Sequence, residues 1–126
     1  MSDEAHVVFD DTAMVAAGRG NVIASRLIYQ AHAQSGWYLY APACAVVEAD
    51  RTRPGTAEHI AALPGITVLE LDLPAALAVA RETTWAAAHV QYAAAPTAER
   101  PDGAIIATAA PNRWTGLSVR VLDVNP

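Results

Sequence analysis

The chain is expected to fold as an α/β domain with a mostly parallel sheet, because short β-prone runs alternate with helical ones along most of its 126 residues. The first run, His6-Val7-Val8-Phe9-Asp10, has a continuous apolar centre, the pattern of a strand covered on both faces. Hydrophobic residues make up 53% and charged residues 17%, a balance that suits one packed core and argues against disorder. The length accommodates a single domain, 1–126, and is too short for two ordinary ones.

Taken in order, residues 6–10 form the first strand, and 11–18 read as a short helix with Asp11 or Thr12 near its N-cap and Gly18 at its end. From Asn21, the spacing of Ala24, Leu27, Ile28 and Ala31 predicts a second helix with one buried stripe, capped by Asn21 and ended by Ser35-Gly36. Residues 37–42 are aromatic and β-prone, and Pro42 stops them while fitting the first turn of a helix over 43–50. A further short helix starts at Thr56 and is closed by Pro64-Gly65.

Residues 66–72 open on β-branched side chains and then alternate, which predicts a strand. Asp72 stands where an N-cap belongs, with Pro74 in the first turn of a helical run over 73–84. Residues 85–95 read as another helix and 96–103 as a loop. Two closing apolar runs, 104–111 and 117–124, flank the turn-like Asn112-Arg113-Trp114-Thr115-Gly116.

Composition narrows the function. All eight basic residues are arginine and the net charge is -5, so the clustered positive charge that sequence-independent nucleic-acid binding needs is missing. Arg19, Arg26, Arg51 and Arg53 could form a local patch, but scattered surface arginines are the preferred reading. The single Cys44 forms neither an intrachain disulfide nor a cysteine-rich zinc site and is expected to be a buried, inert thiol. The acidic start lacks a basic n-region and a long apolar core, and no apolar stretch of membrane-spanning length follows, so a cytoplasmic protein without membrane contact is expected.

In an open parallel sheet, ligands bind beyond the carboxyl ends of the strands. Asp10 and Asp11 stand at the end of the first strand, and Glu48 follows the second strand's Pro42 within an otherwise apolar helix. Glu48 is only about 9 Å along the helix axis from that strand end, close enough to face the same edge. An inward carboxylate needs a cation or a donor, and oxygen-rich sites suit Mg²⁺ or Mn²⁺. A solvated Glu48 is the simpler reading of that residue alone. His89, between alanines and Tyr92, reads as a structural hydrogen-bonding residue; His6, His32 and His59 have no metal-ligand spacing, and no glycine-rich phosphate loop is present.

The stretches Val7–Ala16, a strand followed by aspartate, threonine and an apolar helix start, and Leu39–Asp50, a strand followed by proline and a helix bearing glutamate, resemble the PIN domain family of small metal-dependent nucleases, which includes the VapC-type toxins. The likeness extends along nearly the whole chain through the order of elements. It implies a PIN-like three-layer α/β/α fold around a mostly parallel five-stranded sheet. It also implies an endoribonuclease in which clustered carboxylates hold Mg²⁺ or Mn²⁺ to activate water, with RNA and a cognate antitoxin protein as partners and a homodimeric state. On that likeness Asp11, which directly precedes Thr12, is the first acid and Glu48 the second. Asp10 is expected to point away from Asp11.

Two registers compete beyond residue 84. In one, residues from Asp102 form the helix that opens on the third acid, so Asp102 and Asp123 complete the metal site. In the other, 85–95 is that helix and the two closing runs are the fourth and fifth strands. Thr84 or Trp85 then falls near the third acid, Ala110 stands at the fourth, and the site is incomplete. The second is preferred, because Pro111 would cut a helix beginning at Asp102 short and Pro101-Asp102-Gly103 reads as a turn entering a strand. An incomplete site implies an alternative function, a catalytically impaired module that binds a protein or RNA partner.

Overall fold

The computed structural model describes residues 4–126; part of the acidic start, residues 1–3, lies outside the described residues. Five strands form one sheet: β1 (Ala5–Phe9), β2 (Trp37–Pro42), β3 (Ile66–Leu69), β4 (Ile105–Thr108) and β5 (Arg120–Asp123). Their order is β3-β2-β1-β4-β5 and every pairing is parallel. All five carboxyl ends therefore lie along one edge. Central β1 matches Val7 with Leu39 on one side and with Ile105 on the other. Val7, Val8 and Phe9 are all buried, which confirms that side chains on both faces of this strand are covered.

The helices are α1 (Asp11–Gly18), α2 (Val22–Ala33), α3 (Ala43–Thr52), α4 (Thr56–Ala62), α5 (Leu73–Val79) and α6 (Trp85–Ala94). α2 packs on β2 and β3, and α6 packs on β1, β2 and β4. The connections β1–β2 and β3–β4 run in opposite senses across the sheet, so right-handed crossovers place these helices on opposite faces. The result is a three-layer α/β/α fold. Among the described residues, no helix is long and apolar enough to cross a membrane.

Several boundaries move from their sequence expectations for local reasons. Asp10, not Asp11 or Thr12, is the N-cap of α1: its backbone is extended and its carboxylate accepts the Ala13 N–H at 2.9 Å. α3 continues two residues beyond Asp50, whose carboxylate accepts the Gly55 and Ala57 amides and so shapes the turn into α4. β3 stops at Leu69, three residues short of Asp72, and α5 stops at Val79. Asn21 and Asp72 cap α2 and α5 as expected, accepting from Ala24 and Ala75. Cys44 is half-buried, and burial raises its thiol pKa.

The second half adopts the register in which 85–94 is a helix and the closing runs are strands. Asp102 thus opens no helix. It lies in an exposed turn before β4, at the amino edge of the sheet, where its carbonyl accepts from Arg120 at 2.9 Å. Gly103 enforces this turn: its φ is +70°, and a Cβ there would stand 2.3 Å from the Ala94 carbonyl oxygen.

His89 ties α6 to the other elements. Its Nδ1 accepts the Cys44 N–H at 3.2 Å, at the start of α3, and the ring also bonds the Glu70 backbone just beyond β3. Burial lowers its pKa from the ordinary 6.5, against the opposing effects of the Glu70 bond and the Asp72 charge. The folded state thus favours the neutral ring. The stability it carries is full above pH 6.5 and is lost as the pH falls through the lowered folded value. Urea unfolding at about pH 7.5 and about pH 5.5 should show a loss of stability that is smaller in His89→Gln; an equal loss in both proteins would place its origin elsewhere.

Candidate functional site at the carboxyl edge

The turn after β1 begins with a buried carboxylate. Asp10 has no exposed surface. Its Oδ1 accepts the Ala13 amide and, at 2.6 Å, the Thr12 hydroxyl, while Oδ2 accepts the Trp114 indole N–H at 3.2 Å. Thr12 gives its only proton to Asp10, so its oxygen accepts from the Thr108 hydroxyl at 3.1 Å and from the Ala109 amide at 2.9 Å. Thr108 in turn accepts from the Ala110 amide. Every hydroxyl in this chain has a defined direction, and β1, α1 and the end of β4 are joined through it.

Beside it, Asp11 is also buried, with 7% of its surface exposed. Its Oδ1 meets Nη1 of Arg113 at 2.5 Å, and the same nitrogen stands 3.6 Å from Asp10 Oδ2. Arg113 and Trp114 belong to a 3₁₀ turn, Pro111–Trp114, that follows β4. Burial works against the arginine's charge, but the Asp11 hydrogen bond and the charges of Asp11, Asp10 and Glu48 outweigh it and raise its pKa.

Asp11, Glu48 and Arg113 line one cleft of about 800 Å³, together with Arg19, Asn21 and Asn125. Glu48 is exposed on α3, in line with its simpler sequence reading. Asn21 and Asn125 close the far side, Asn21 donating to the Val124 carbonyl at 2.9 Å and Asn125 to the Ala109 carbonyl at 2.8 Å. A second cleft of about 600 Å³ shares Glu48 and is lined by Val47, Arg51, Leu71, Thr84 and Trp85. Trp85 is 65% exposed and Val47 58%, leaving a wide apolar surface beside the charged one.

The structure therefore brings Asp11 and Glu48 to one cleft and leaves Asp102 at the opposite edge of the sheet. Asp123 ends β5 at the carboxyl edge, exposed, and its Oδ1 accepts both the backbone and side-chain N–H groups of Asn125. Asp10, expected to point away from Asp11, instead reaches the same Arg113 nitrogen and holds the network together, because it turns out of the strand to cap α1. In the sequence Arg113 and Trp114 stand only in a turn-like segment; the signal for them is that loops after the strands of a parallel sheet line its ligand edge.

As a donor set for Mg²⁺ or Mn²⁺ these side chains fit poorly. Both Asp10 oxygens already accept hydrogen bonds, Asp11 is paired with a guanidinium, and Ala110 supplies no ligand. Among the described residues, no three His, Cys, Asp or Glu side chains come together as a metal-binding group.

Asp10→Ala is expected to cost about 3 kcal/mol in urea unfolding, because it removes a helix cap and strands the Trp114 and Thr12 donors. Asp11→Ala, which leaves those bonds in place and a partly exposed Arg113 still near Asp10, should cost less, about 1.5 kcal/mol. A larger loss from Asp11→Ala would contradict this order. No family model matches the chain, and neither the curated proteins nor the solved structures contain a significant match to it.

Proposed function

We propose that this chain is a PIN-like module that works by binding a protein partner and not by metal-dependent hydrolysis of RNA. The observation that carries this reading is Arg113, whose guanidinium lies on Asp11, the first acid on the PIN-like reading, and close to Asp10. A positive charge there repels a second cation and occupies the oxygen that would bind it. A protein partner is favoured over RNA by the absence of lysine, the net charge of -5, and the exposed Trp85, Val47 and Leu71 around the second cleft.

The competing reading is a Mg²⁺/Mn²⁺-dependent endoribonuclease of the toxin or RNA-processing type, and what favours it is that Asp11 and Glu48 share one cleft. Calorimetry with Mn²⁺ at millimolar concentration, paired with an RNA cleavage assay, separates the two. The binding-module reading expects no saturable heat and no cleavage. Mn²⁺ uptake lost in Asp11→Asn, with cleavage lost in Glu48→Gln, would establish the nuclease instead. On the partner side, Trp85→Asp should leave stability within about 0.5 kcal/mol, as exposed substitutions do, and should release proteins that the unaltered chain retains. Retention of the same proteins by both would remove the apolar cleft as the docking surface.

A further inference from the structure

Resting on that reading, we infer that Arg113 is the resident cation of the carboxyl edge, the one group that keeps a divalent ion away from Asp11 and Glu48. Three carboxylates, Asp10, Asp11 and Glu48, contribute to its raised pKa, and it is the sole cation whose contacts with the two aspartates are within salt-bridge distance among the described residues. The arginine is anchored from both sides in sequence. Pro111 begins its turn and Trp114, 3% exposed, donates to the same Asp10 carboxylate. This places the guanidinium at the cleft wall with a third of its side chain still accessible.

The two aspartates differ in what they would offer in its absence. Asp10 keeps all three of its hydrogen bonds, since none comes from Arg113. Asp11 keeps none, and its freed oxygens face a cleft that Glu48 also lines. Mg²⁺ and Mn²⁺ bind through one or two carboxylates when water completes the octahedron, so Asp11 and Glu48 suffice for a weak site once the positive charge is gone. Arg113 thus substitutes for an ion: it neutralises the edge, holds the turn after β4, and makes the fold there independent of metal.

The test titrates the full chain and Arg113→Gln with MnCl₂ by calorimetry. Arg113→Gln is expected to take up Mn²⁺ roughly tenfold more tightly or better than the unaltered chain, because a unit positive charge close to the entering cation has been removed. Adding Asp11→Asn to the variant should abolish the gain. Arg113→Lys, which keeps the charge, should bind no better than the unaltered chain. Equal behaviour of the unaltered chain and Arg113→Gln, whether both bind or neither does, overturns the inference, and so does uptake by Arg113→Lys that matches Arg113→Gln.

If Arg113→Gln alone does not fold, Arg113→Met, which keeps the apolar stem of the side chain without its charge, takes its place and the same comparison is made with that protein. Failure of the binding-module reading is seen separately, as Mn²⁺ uptake and RNA cleavage by the unaltered chain. The ratio between the chain and its variant reads the role of Arg113 alone.

Discussion

A fully buried carboxylate is the constraint on which the rest of this edge depends. An ionised aspartate taken out of water without partners would cost more than a small domain's entire stability, so its surroundings must supply donors from several elements at once. Asp10 draws them from α1 through Ala13 and Thr12 and from the turn after β4 through Trp114. Thr12 extends the obligation to Thr108 and Ala109 at the end of β4. Satisfying one carboxylate therefore fixes where α1 starts, how β4 ends and which way the following turn folds.

That arrangement also explains why the basic residue is an arginine in a turn. Two adjacent aspartates at the end of one strand leave negative charge that hydrogen bonds from neutral groups do not cancel. A guanidinium on a short 3₁₀ turn reaches both, within 2.5 Å of Asp11 and 3.6 Å of Asp10. It is more weakly hydrated than an ammonium and remains charged when half-buried, so its desolvation is the smaller cost. The acids, the turn and the arginine form one unit.

The architecture was legible in the sequence because its signals are periodic and local. Apolar β-runs alternate with capped helices, and the caps at Asn21 and Asp72 sit at residues whose side chains leave few other roles. The site was legible only in part. Strand ends and the carboxyl-edge rule reached Asp11 and Glu48, which do share a cleft. The expected divergence of Asp10 from Asp11 did not hold, because strand alternation ends where Asp10 caps α1, and both carboxylates reach the same Arg113 nitrogen. Arg113 lies 102 residues from its partner Asp11, and no local pattern records an ion pair across that separation.

The choice between the two registers of the second half shows how a few backbone atoms decide a chemical question. A helix from Asp102 would have carried a third carboxylate to the carboxyl edge. Gly103 instead takes a positive φ against the Ala94 carbonyl, and the next residue, Ala104, donates to that same carbonyl at 3.0 Å. The chain leaves this contact directly into β4, whose Ile106 pairs with Val8 of β1 and is wholly buried. Asp102 is thereby held at the amino end of β4, and Ala110, whose side chain carries no oxygen, follows its carboxyl end. The negative charge of Asp10 and Asp11 at that end of the sheet is met by Arg113, three residues beyond Ala110.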